Sequence, residues 1–112
     1  MTGVSDRYRE CFLYVDAADR HEVLAALARQ LNVVPDRRTL IVPGFEVDVV
    51  GNDDDAPSFL GWPTKVEVYG QGATGAETVS FVSELMEFLR SAGHRVVAAC
   101  DFEDELPQTD LD

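Results

Sequence analysis

The sequence predicts an α+β domain whose segments run β-α-β-β-α-β. Two amphipathic stretches repeat at the helical period, short apolar or alternating runs lie before, between and after them, and turn-forming residues mark most junctions. The 112 residues suit a single domain spanning 1–112, and 46% apolar with 27% charged residues places the chain among globular rather than disordered sequences. A chain of this size buries roughly 65% of its extended-chain surface on folding, which supports one core without staples. Ordered structure is expected over about residues 8–102, followed by a loose acidic tail over 103–112.

The first strand is "ECFLYVD" (residues 10–16), a short run of aromatic and branched side chains. "DRHEVLAALARQL" follows, opening with Asp19 and Glu22 in capping-box spacing. At 100° per residue Val23, Leu24, Leu27, Ala28 and Leu31 share one face while Glu22 and Arg29 fall opposite, and Asn32 and Pro35 stop the helix. "TLIVPGFEVDVVGN" turns to period two, with Phe45, Val47 and Val49 on one side and Glu46 and Asp48 on the other. Its Pro43-Gly44 reads as a bulge in one interrupted strand or as a turn between two short ones, and the single interrupted strand is the expectation. "DDDAPSFLGWP" is a loop, and "TKVEVYG" is a half-exposed strand with Val66 and Val68 inward.

Thr74 and Glu77 form a second capping box. Val79, Phe81, Val82, Leu85, Met86, Phe88 and Leu89 then cover half of a helix that Gly93 terminates. "RVVAACDF" is the last strand. With right-handed crossovers the usual arrangement of this order is the ferredoxin-like one: a four-stranded antiparallel sheet with both helices on one face. First and last strands then pair antiparallel, which places Cys11 beside Cys100.

The net charge is −12, from 21 acidic and 9 basic side chains. Glu46, Asp48, Asp53, Asp54 and Asp55 lie in one stretch without a base, and Asp101, Glu103, Asp104, Glu105, Asp110 and Asp112 in another. Such a surface repels nucleic acid and anionic membranes and attracts a basic protein, or it serves solubility alone. There is no apolar run of membrane-spanning length and no signal-peptide pattern at the start, so a cytoplasmic location is expected. Two cysteines in such a compartment are expected to be reduced thiols.

Gly70, Gly72 and Gly75 spell G-x-G-x-x-G between a strand and a helix, the spacing of a dinucleotide-binding turn. The preceding strand carries Lys65 and Glu67, whereas a strand of that fold is buried on both faces. Only one strand follows, and Asp101, the acid best placed at a strand end, is 26 residues past Gly75 where about 20 are needed. The triplet therefore reads as a turn into a helix capped by Thr74. His21 and His94 have no evident nucleophile to serve, and "NDDD" (52–55) lacks the alternating ligands and glycine of a calcium loop. No catalytic residue, metal or cofactor is expected.

Phe59 and Trp62, in the loop after the three aspartates, and Tyr69, outward on the next strand, have the makeup of interface anchors; Phe59 and Trp62 could equally cover one end of the core. "FLGWPTKVEVY" and "VVAACDFEDELP", within a small acidic chain, resemble the small immunity proteins of bacterial polymorphic and contact-dependent toxin systems; the similarity spans about residues 59–107. That resemblance implies a protein without activity of its own that binds and blocks a toxin. It carries over no residue role by position. The sequence thus supports an acidic inhibitor of a basic partner such as a nuclease, with Asp53, Asp54, Asp55, Asp101, Glu103, Asp104 and Glu105 steering and Phe59, Trp62 and Tyr69 anchoring. The alternatives are a small-ligand regulatory or enzymatic domain binding an anion or nucleotide at the Gly70–Gly75 loop, and a weak homodimer formed through an open sheet edge. A monomer or weak homodimer is expected.

Overall fold

The computed structural model describes residues 6–107. The fold is α+β, with a five-stranded antiparallel sheet and two helices. The strands are β1 (Glu10–Val15), β2 (Thr39–Val42), β3 (Phe45–Gly51), β4 (Thr64–Gly70) and β5 (Val96–Ala99), and the helices are α1 (Arg20–Leu31) and α2 (Gly75–Ser91). In space the strand order is β2-β3-β4-β1-β5.

The fifth strand corrects the four expected, and its cause is Pro43-Gly44. Gly44 adopts φ +87, so the chain reverses there and Val42 pairs with Phe45. The segment is a hairpin and not a bulged strand. The added strand, β2, lies at the sheet edge beyond β3.

Period two then sorts the sheet into faces. Cys11, Leu13 and Val15 of β1, Val66 and Val68 of β4, and Phe45, Val47 and Val49 of β3 point inward, in register across the strands. The helices cover that face alone: Val23, Leu27 and Ala28 of α1 and Val82, Leu85, Met86 and Leu89 of α2 join the same core cluster. Phe45 and Phe81 stack within it at 4.1 Å. The one buried hydroxyl on the inner face of β4, Thr64 Oγ1, donates to the Ala17 carbonyl at 2.7 Å.

Both helix starts follow the local signals. The Asp19 carboxylate accepts from the His21 amide, and Thr74 and Glu77 close a full reciprocal capping box. Past α2, Gly93 takes φ +97 and His94 donates its amide to the Leu89 carbonyl.

The chain does not turn into a loose end at Glu103. Phe102 is fully buried, Leu106 is buried, and Glu103–Glu105 form a 3-10 turn between them. Arg90 donates to the carbonyls of Val96 and Pro107, tying the segment to α2. Two apolar side chains four residues apart are enough to draw this acidic stretch back to the core. Asp110 and Asp112 lie outside the described residues.

Candidate protein-docking face

Among the described residues the other face of the sheet carries no helix, and strand register arranges it in rows. Ile41, Glu46, Tyr69 and Glu10 form the first row; Thr39, Asp48, Glu67, Phe12 and Ala99 the second; Val50, Lys65, Tyr14 and Val97 the third. Aromatic rings run obliquely across these rows. Tyr69 meets Phe12 edge-on at 6.2 Å, and Tyr14 meets Phe59 at 5.6 Å, which in turn meets Trp62 at 6.3 Å. The Lys65 ammonium sits 5.1 Å over Phe12, and the Arg95 guanidinium sits 4.8 Å over Trp62.

This face has an excess of negative charge. Glu10, Glu46, Asp48 and Glu67 point outward against Lys65 alone among the strand residues. Asp48 and Glu67 are direct cross-strand partners, a like-charge pair that costs stability in the unbound protein. Local contacts moderate the cost: Lys65 pairs with Glu67 at 3.2 Å and Thr39 Oγ1 donates to Asp48 at 2.7 Å. The Tyr69 hydroxyl donates to Glu67, and burial with that carboxylate nearby pushes the phenol up to about 12.

Phe59 and Trp62 are half-buried at one end of this face, held there by a loop that Asn52 closes. Its side-chain amide donates to the Leu60 and Trp62 carbonyls at 2.8 and 2.7 Å, and its backbone amide donates to Pro63. Asp53, Asp54 and Asp55 project from the same end and are exposed, with one Asp54 oxygen accepting from the Ala56 amide. Ion-paired Asp16 and Arg95, 2.6 Å apart, complete the rim.

The second acidic cluster lies elsewhere. The Asp53–Asp55 loop leaves the sheet where Gly51, Thr64, Val15 and Val96 align, whereas Asp101, Glu103, Asp104 and Glu105 follow β5 at the opposite end. Seven-residue β4 separates the ends by about 20 Å. The clusters therefore do not form one patch, and the second is partly matched from within. Arg7 pairs with Asp104 at 2.9 Å and Glu105 at 2.8 Å, and the Tyr8 hydroxyl donates to Glu105. These contacts hold the Glu105 carboxyl below its ordinary range, Arg7 contributing most.

Each glycine of the triplet answers to its own surroundings. Gly72 has φ +89. A Cβ on Gly75 would stand 2.9 Å from the Tyr8 ring, which packs against the start of α2, while one on Gly70 would meet only ordinary contacts. Thr74 and Glu77 already engage the first amides of the helix. Sequence reasoning missed Phe12 and Tyr14, because the apolar run of β1 gave no sign of which face each occupied. It also missed Asn52, whose role depends on a loop closing ten residues later.

Cys11 and Cys100 are neighbours, as the strand pairing required. Cys100 beside it and burial push the Cys11 thiol up, while Cys11 and the Phe102 amide pull Cys100 down. Cys11 is buried and Cys100 half-exposed. Native protein treated with iodoacetamide at pH 8 is expected to gain one adduct, at Cys100, and a second only in denaturant. Equal labelling of both in the native state would refute this arrangement.

Among the described residues, no group of three His, Cys, Asp or Glu side chains is placed to hold a metal, and no helix is long and apolar enough to cross a membrane. No protein-family model, curated protein or solved structure matches the chain.

Proposed function

We propose that this protein is a non-catalytic, acidic binding module of the immunity type, which neutralises a basic partner such as a toxin nuclease. The supporting observation is the helix-free sheet face, where aromatic rings alternate with Glu10, Glu46, Asp48 and Glu67. Rings supply desolvated contact area, and unbalanced acid supplies attraction to a cationic surface. The Asp48–Glu67 repulsion is relieved when a partner's lysine or arginine comes between them. Asp53, Asp54 and Asp55 extend the same negative field at the Trp62 end; Asp101, Glu103, Asp104 and Glu105 contribute only at longer range. We read the fold as a ferredoxin-like βαββαβ core with β2 added at its edge, which leaves this sheet face open to a partner.

The test begins with tagged protein used as bait in lysate of its source cell at low salt. One basic protein, released as salt rises, is the expected catch. With that partner purified, reversing Glu46, Asp48 and Glu67 to lysine should slow association at low salt by at least about tenfold. Unchanged association would sink the reading, whatever the affinity.

A further inference from the structure

A separate cavity opens on the helix side of the sheet, between the start of α1, the 36–39 turn and the end of β3. It is open to solvent and measures about 570 Å³, a size that suits a small-molecule site, and Arg20, His21, Leu24, Arg37, Arg38 and Val49 line it. The protein carries 21 acids for 9 bases, so its cations have ample choice of partners. Arg7, Arg9, Lys65 and Arg95 form ion pairs, and Arg90 donates to backbone carbonyls. Of the remaining cations only Arg29 lies outside this cavity; Arg20, Arg37 and Arg38 face it with no ion pair among the described residues.

Two backbone features support these arginines. Arg37 adopts φ +59, the left-handed region where glycine or asparagine is at ease and arginine is strained. Gly51 leaves room for Arg20: a Cβ there would stand 3.0 Å from an Arg20 guanidinium nitrogen. Three arginines line one cavity, and the planar fork of a guanidinium matches phosphate oxygens in pairs. Leu24 and Val49 supply an apolar floor, and Asp53 at the rim would accept from hydroxyl groups while opposing a second anion.

We propose that this cavity binds a small phosphorylated molecule bearing hydroxyl groups, a nucleotide or a sugar phosphate, independently of the sheet face that meets the protein partner. The experiment is an amide NMR titration of the full chain at constant ionic strength with ADP, ribose 5-phosphate and pyrophosphate, and with adenosine as the uncharged comparison. At least one phosphorylated probe is expected to shift the Gly51 amide with a dissociation constant below about 1 mM, while adenosine does not. Arg20→Gln and Arg38→Gln should each weaken that binding about tenfold. Arg37→Asn should weaken it similarly without lowering the melting temperature, because asparagine tolerates the left-handed backbone. The proposal is overturned if no phosphorylated probe shifts Gly51, if the shifts centre on Gly72 instead, or if the three variants bind as the parent does.

Discussion

Truncating Phe102 to alanine is expected to destabilise this domain by about 3–5 kcal/mol, the cost of deleting a fully buried aromatic ring. The ring is completely shielded from solvent and lies 5.2 Å from the Tyr8 ring, centroid to centroid. Tyr8 in turn rests on the first residue of α2, so Phe102 supports a contact between the N-terminal segment and the helix as well as its own cavity. A domain of this class has about 5–15 kcal/mol in all, so the variant sits near the edge of folding at 37 °C. Urea unfolding followed by far-UV circular dichroism measures the effect. With a slope of about 1–3 kcal/mol/M, the midpoint should fall by about 2 M. A loss under about 1 kcal/mol would mean that the segment after β5 is not part of the core. The same experiment on Asp101→Ala should give almost nothing, since that side chain is exposed.

That contrast marks the limit of what could be read from the sequence. Both helices, their caps and their inward stripes were legible, because each signal is local: Thr74 with Glu77, Gly93 at the end of α2, and Val82, Leu85, Met86 and Leu89 at helical spacing. The pairing of first and last strands was legible from connection handedness, and the Cys11–Cys100 contact bears it out. Three things were not. Pro43-Gly44 allows a bulge or a turn on local grounds, and the choice depends on whether β2 finds a partner; here it pairs with β3. "DFEDELP" looks like tail by composition, but Phe102 and Leu106 fit a gap that exists only once α2 and the N-terminal segment have packed. The two acidic clusters are similar in composition, and only the strand register puts them at opposite ends of the sheet.

For the candidate docking face the sequence supplied the ingredients without their arrangement. Tyr69 and Glu67 were evident as outward residues from alternation within β4. Their neighbours across the sheet, Phe12 on one side and Glu46 and Asp48 on the other, follow only from which strands adjoin. Side chains from all five strands and one loop contribute to this surface, and no linear motif can encode it.

The loop that carries Phe59 and Trp62 offers the second large effect, at Gly61. A Cβ added there would stand 2.1 Å from the Ala56 carbonyl oxygen and 2.9 Å from its nitrogen. Both are backbone atoms, so no side-chain rotation relieves the clash and the loop itself must move. Forced overpacking in a rigid core costs about 1–3 kcal/mol and more when backbone is hit. Here the cost is capped by the free energy of releasing the loop, because residues 52–63 lie outside the strands and can open without unfolding the sheet. Gly61→Ala should therefore lower the stability by no more than about 3 kcal/mol while displacing Trp62. Trp62 is the only tryptophan, and it lies against Phe59 and beneath the Arg95 guanidinium. Its emission should shift to the red and become more easily quenched by acrylamide before any global transition. Gly72→Ala is the proper comparison: its Cβ meets nothing, so only the positive φ is penalised, by about 1 kcal/mol, and Trp62 should not respond. If Phe59 and Trp62 anchor the basic partner, Gly61→Ala also accelerates dissociation while leaving association, which the carboxylates govern, almost unchanged. An unaltered Trp62 spectrum in Gly61→Ala would show that the loop does not hold the ring in place, and the anchoring role would fall with it.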